Sequence, residues 1–301
     1  TFSDGSYLRA GVYNIFSSDI TVAGGMDCDV VYPEWFGAVG DSTTDDSPEI
    51  YKAVEFAKRT SGKRIDLQNR VYYCDRRALE NFDPNGLTIN GNGARIRLNG
   101  SVLSDYRVFV PKGDTSAVAY ELDKPAWKGE RFIQVNNATF KNSLSPGDII
   151  HITADTTKSP SYPNIDIGEM HEVTGIQGNY ILIAEPIFQD VYDTVFDARA
   201  RKVIGATGRI RDIHFIVYEG HTRSLGGVWI YHGNGFIVEN CRFSNLYGND
   251  LWDISSYNTR FLNNIHAHSP ITGGGYAIGI ANASTNCIIS NSNFHGNRHH
   301  I

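Results

Sequence analysis

The chain has 301 residues, 33 acidic against 27 basic side chains for a formal net charge of -6, and is rich in turn formers, with 30 glycines and 10 prolines. That length buries a sizeable core as one elongated body or as two to three subdomains. The absence of a clustered Lys/Arg surface argues against nucleic acid, and no apolar run is long enough to insert into a membrane.

Residues 1–32 alternate weakly in polarity, as in Tyr7-Leu8-Arg9-Ala10-Gly11-Val12-Tyr13, and read as a strand-rich collar or linker. No n-region and h-region of a secretion signal open the chain. The segment 33–100 begins with Pro33-Glu34-Trp35-Phe36-Gly37-Ala38-Val39-Gly40-Asp41 and continues through Thr44-Asp45-Asp46-Ser47-Pro48-Glu49. Ser47 is placed as N-cap, Pro48 as the first helical residue and Glu49 in the first turn. With Ile50, Val54 and Ala57 at helical spacing, this predicts a helix running to about Thr60. Asp41, Asp45 and Asp46 lack EF-hand spacing and read as turn and helix-dipole chemistry rather than cation ligands. No metal and no cofactor are expected.

Those residues, with Gly62-Lys63-Arg64-Ile65-Asp66-Leu67, Tyr72-Tyr73 and Gly86-Leu87-Thr88-Ile89-Asn90-Gly91-Asn92-Gly93-Ala94 after the helix, resemble the pectate-lyase-like superfamily. Within it the preceding Pro33-Glu34-Trp35 is most similar to bacteriophage tailspike proteins. Ser42 stands where that family usually has Gly, and Ser47 where it usually has Thr. The resemblance implies a helix capping the N-terminal end of a β-helix, a homotrimer on the phage tail or baseplate, and action on a bacterial surface polysaccharide, capsule or O-antigen, at the host cell surface.

Residues 101–202 break the rhythm of short repeats. Phe132-Ile133-Gln134-Val135, Ile149-Ile150-His151-Ile152 and Tyr180-Ile181-Leu182-Ile183 read as strands joined by Gly turns, which predicts an inserted small β subdomain. The polar, Pro-containing stretch 155–166 reads as an exposed loop.

Residues 203–301 repeat. Asp212, Asn240, Asn264 and Asn291 fall at equivalent points of short apolar-polar alternations, at steps of 28, 24 and 27 residues. A repeat of that length built of short strands is a solenoid. A second strand aligns as Val228-Trp229-Ile230, Trp252-Asp253-Ile254, Ile278-Gly279-Ile280 and His299-His300-Ile301. The fold class is therefore all-β, a right-handed parallel β-helix with a capping helix and an inserted subdomain. Val238, Leu262 and Ile289 form one inward column; Cys241, Ile265, Ser292 and Ile230, Ile254, Ile280 form others. The Asn column is structural, passing amide hydrogen bonds from coil to coil. The scattered cysteines Cys28, Cys74, Cys241 and Cys287 make no CxxC pair and read as reduced core thiols. The chain begins at Thr1 without Met and stops at Ile301 directly after a repeat strand, which predicts a piece of a longer chain or an end covered by a partner subunit.

Chemistry belongs on outward columns, because the inward ones are filled by core. The alignment puts Trp229, Asp253, Gly279 and His300 in one such column and Gly227, Leu251, Ala277 and Arg298 in another, a shallow trough suited to a long polymer. Sugar rings stack on aromatic faces, so Trp229, Tyr231, Tyr257 and Tyr276, with Arg298 and His300, are the candidate substrate-binding residues, while Trp252 points inward. Glycosidic hydrolysis needs a carboxylic acid and a second carboxylate; Asp253, Asp250 and Glu219 are the candidates. The rival chemistry, β-elimination, takes its base and cation from His232, His268, His299, His300, Arg223 and Arg298. A polysaccharide depolymerase, hydrolase before lyase, is the expectation; a non-catalytic glycan-binding spike and a bacterial surface lyase are the alternatives.

Overall fold

The computed structural model describes residues 6–17, 26–75, 79–99, 106–155, 167–194, 197–218, 224–269 and 275–297. Short strands follow one another around three faces among the described residues, and each face is a parallel sheet. The first face runs through Arg64–Asp66, Leu87–Asn90, Gly208–Arg211, Ile237–Glu239, Arg260–Leu262 and Ile288–Ser290. The second runs through Asp41–Asp45, Val71–Cys74, Arg95–Leu98, His214–Ile216, Arg242–Ser244, Ile265–Ser269 and Asn293–Asn297. The third runs through Leu79–Phe82, Tyr106–Pro111, Leu225–Tyr231, Leu251–Ile254 and Ile278–Ala281. The chain is a right-handed parallel β-helix, the hand that parallel crossovers take.

The corner between the first and second faces is two residues long in the repeating coils, and the first of the two makes the turn. Asp212, Asn240, Asn263 and Asn291 each hold a left-handed φ, between 51° and 57°, a conformation that Asn and Asp tolerate better than other side chains. Asn240 Nδ2 donates to Asp212 Oδ1 at 3.2 Å, so stacked corners are also linked by side chains. The third member of the column is thus Asn263, not Asn264. Asn264 lies inside, fully buried: its Oδ1 accepts from the Cys241 amide at 2.9 Å and its Nδ2 donates to the Val238 carbonyl at 3.0 Å.

That one-residue difference runs through the whole coil, because side chains alternate faces with period two. The inward column of the first face is Ile210, Val238, Phe261 and Ile289, and Leu262 points outward. On the third face Val228 pairs with Leu251, Trp229 with Trp252 and Ile230 with Asp253. The inward column of the second face is an aromatic stack: Phe215, Phe243, His266 and Phe294, with centroids 5.1, 5.0 and 5.2 Å apart and planes within 10° of parallel.

At the N-terminal end the helix Ser47–Ala57 buries Ile50, Ala53, Val54, Phe56 and Ala57. It stops short of the expected Thr60, whose hydroxyl donates to the Ala57 carbonyl. The acidic cluster around it does turn chemistry: Asp41 Oδ1 accepts from the amides of Thr43 and Thr44, and Asp46 accepts from those of Val39 and Gly40. Residues 6–17, expected as a collar, pack on this cap, with Phe16 against Phe36 and Phe56 and the Trp35 indole donating to the Gly11 carbonyl. Cys28, Cys74 and Cys241 are buried thiols and Cys287 is half-buried. No helix among the described residues is long and apolar enough to cross a membrane.

The antiparallel sheet of the insertion starts at Asp114–Thr115 and closes with Arg199–Ile204. Its order is Phe132–Gln134, Tyr180–Ile183, Ile167–Gln177, Ile149–Ala154, Arg199–Ile204, Asp114–Thr115. The strand Tyr106–Pro111, inside the expected insertion of 101–202, is instead a rung of the solenoid's third face, paired with Leu225–Tyr231. A lone strand without the Asn corner carries no repeat signature.

Candidate functional site

The outer side of the third face carries an aromatic ladder. Trp229, Trp252 and Gly279 occupy one outward column on successive rungs. The two indoles lie 5.8 Å apart at 30°, and Tyr276 meets Trp252 edge-on at 6.1 Å. At the other end the Arg107 guanidinium sits 3.7 Å from the Trp229 ring centroid, a close cation–π contact. Arg107 is steadied by donating to the Ser224 carbonyl at 3.0 Å, and the Trp229 indole N–H points at the Asn249 carbonyl, 3.4 Å away.

Two glycines make the ladder possible. A Cβ at Gly279 would collide with the six-membered ring of Trp252, so the missing side chain is what lets that indole lie across the next rung. A Cβ at Gly226 would clash with the Arg107 side chain and the Asn249 carbonyl. Tyr231 stands two residues along the Trp229 strand, half-buried, with Ile254 and Ala281 on the following rungs. The result is a shelf of half-buried aromatic surface edged by one guanidinium, a geometry that accepts the C–H faces of pyranose rings.

Of the residues expected to build a site, Trp229, Tyr231 and Tyr276 are on this shelf. Trp252, expected in the core, is its centre, and Arg107 lies in a rung with no repeat signature in the sequence. Tyr257 is buried, not exposed; its hydroxyl donates to Glu185 Oε1 at 2.7 Å. His232 is half-buried, its Nδ1 3.2 Å from the Ser255 carbonyl, and burial lowers its basicity. Glu219, Arg223, Arg298, His299 and His300 lie outside the described residues, as does the side chain of His268.

The two aspartates point the other way. Asp253, expected in the outward column beside Trp229, is wholly buried in the inward column between Ile230 and Ile280. Its carboxyl accepts from Thr259 Oγ1 at 3.2 Å and from Cys287 Sγ at 3.1 Å, and burial pushes it up. Asp250 is 2% exposed, with Oδ2 2.9 Å from His266 Nδ1. Burial raises its carboxyl too, against the pull of that imidazole. Both are core polar groups satisfied within the solenoid, and a polymer on the outer shelf does not reach them.

No protein-family model matches the sequence, and no curated protein does. Among solved structures, the chain is similar to the tailspike protein gp49 from Pseudomonas phage LKA1, with a TM-score of 0.60 and 17% identity over 87% of this chain and 51% of that one. It is also similar to the Gp54 tailspike of Acinetobacter baumannii bacteriophage AP22 in complex with A. baumannii capsular saccharide. There the TM-score is 0.64 and the identity 16%, over 87% of this chain and 46% of that one. The chain shares their fold. It spans about half the length of these tailspikes.

Proposed function

We propose that this protein is a phage tailspike that binds a bacterial surface polysaccharide along the third face of its β-helix and depolymerises it. The observation that carries the reading is the Arg107–Trp229–Trp252–Tyr276 ladder, a run of aromatic surface along the solenoid axis. The capsular saccharide bound to the Acinetobacter phage tailspike supports the ligand class. Indole faces take up sugar C–H groups, and the Arg107 guanidinium supplies hydrogen-bond donors to ring hydroxyls or to a uronate. Hydrolysis then needs an acid and a second carboxylate. Glu219, in the segment leading to the Leu225–Tyr231 strand, is the remaining carboxylate from the sequence, and a partner for it comes from another subunit or from beyond Ile301. In this reading the functional unit is a homotrimer, and light scattering of the full-length protein gives three times the chain mass.

The burial of Asp250 and Asp253 favours a second reading, a spike that holds the polymer without cutting it. One experiment separates the two. The full-length protein is incubated with purified host capsule, and new reducing ends, unsaturated-uronate absorbance and polymer length are followed. Shortened polymer supports the depolymerase, and tight binding at constant length selects the spike. Absence of binding to every host surface glycan removes both.

A further inference from the structure

A second face of the solenoid carries a different chemistry. On the outer side of the second face, Arg95, His214 and Arg242 stand directly above one another on successive rungs. The residues that follow them, Ile96, Phe215 and Phe243, are fully buried, which fixes this column as outward. Arg95 and Arg242 are exposed, and neither pairs with a carboxylate among the described residues. On the first face three of the arginines have acidic neighbours: Arg64 is bonded to Asp66 at 2.6 Å, Arg209 to Glu239 at 3.1 Å, and Arg211 lies 3.7 Å from Asp212, while the exposed Arg260 donates to Asn258 Oδ1 at 3.5 Å. The column is therefore a local cationic stripe on a chain whose net charge is -6.

Its surroundings are built for sugars. His214 Nε2 lies 3.0 Å from Ser244 Oγ, and Arg242 Nε donates to the same oxygen at 3.4 Å, which braces the centre of the stripe. Two residues along from Arg95, the Arg97 guanidinium is held over Tyr73 at 5.2 Å and over Tyr218 at 5.5 Å. Tyr218 is 49% exposed, so its ring is open to a ligand. Two rungs separate Arg95 from Arg242, roughly 10 Å at the spacing of paired strands, which is comparable to the length of two linked hexoses. Planar guanidinium forks bind carboxylates bidentately.

We infer that this stripe is a binding site for an acidic glycan, a polymer whose sugars carry carboxylates, with Arg95 and Arg242 each taking one carboxylate and Tyr73 and Tyr218 flanking the chain. It is a different surface from the aromatic ladder. It extends the reading given above by naming a charge class for the polymer.

The test uses the full-length protein with polygalacturonate, alginate and hyaluronan, with fully methyl-esterified polygalacturonate as the uncharged control and duplex DNA as the polyanion control. The wild type is expected to bind at least one acidic glycan and to bind the methyl ester at least 10-fold more weakly. Arg95→Gln/Arg242→Gln is expected to lower that affinity at least 10-fold, and Arg95→Glu/Arg242→Glu to abolish it, both with unchanged melting temperature because the residues are exposed. The inference is overturned if no acidic glycan binds, if the ester or DNA binds equally well, or if the double Gln variant binds like wild type. Trp229→Ala/Trp252→Ala distinguishes the two surfaces. Acidic-glycan binding that survives this variant but not the Arg variant supports the stripe even where the aromatic ladder fails its own test.

Discussion

Asn263 and Asn264 are neighbours with identical side chains and opposite work. Asn263 holds the left-handed corner at φ 56°, so Asn263→Gly leaves stability within about 0.5 kcal/mol of wild type and Asn263→Ala costs about 1 kcal/mol. Asn264→Ala instead orphans the buried Cys241 amide and Val238 carbonyl and costs about 2–3 kcal/mol. Urea midpoints of the three variants rank them. His214 provides a test by pH. Burial, with the charges of Arg242 and Arg95, pushes its imidazole down to about 4. In the unfolded chain the ring takes up a proton near pH 6.5, and in the folded chain only near pH 4. The protein therefore loses stability as pH falls through that window and is unaffected by this group above it. In His214→Gln, melting temperature against pH is flatter between 6.5 and 4.

At the scale of the element, the aromatic ladder depends on a side chain that is not there. Gly279→Ala removes no atom from the surface proposed to bind glycan, yet its methyl collides with the Trp252 ring and lifts the indole off the shelf. Glycan affinity measured by calorimetry falls on the order of 10-fold, close to the loss for Trp252→Ala. The repeat that built this sheet was legible in the sequence through its Asn corners and apolar alternation. The register of one coil was not. In Phe261-Leu262-Asn263-Asn264 either Asn fits the corner, and in Leu251-Trp252-Asp253-Ile254 the wholly apolar parity, Trp252 with Ile254, is the one that faces outward. The native register puts Asp253 inside and Trp252 outside, an inversion that hydrophobic patterning resolves the wrong way unless the partners Thr259 and Cys287 are known. The candidate site inherited that slip: Trp229, Tyr231 and Tyr276 lie on the outer side as expected, Trp252 and Asp253 exchange places, and Arg107 sits in a rung without a repeat signature.

Across the whole molecule, the insertion is fastened to the solenoid at a corner that its own coil does not supply. It leaves and rejoins the β-helix at Gly113 and Gly205, where a Cβ would collide with the His232 carbonyl or with Asn234, so the two crossings are tight. From there it reaches later coils. Ile149, Met170 and Val203 of the insertion pack with Tyr257 and Ala283 of the solenoid, and the Met170 amide donates to Thr285 Oγ1 at 3.0 Å. The Tyr257–Glu185 hydrogen bond at 2.7 Å is a second polar anchor between the two. Tyr257→Phe keeps the packing and removes that anchor, a change worth about 1–2 kcal/mol. If the insertion opens from the solenoid as a local unit, amide exchange at Met170 speeds up about 5- to 30-fold in this variant. Exchange at Ile210 and Val238, on the first face, stays at the wild-type rate. Equal acceleration at all three amides would mean that insertion and solenoid unfold together, and the corner would then be part of one cooperative core.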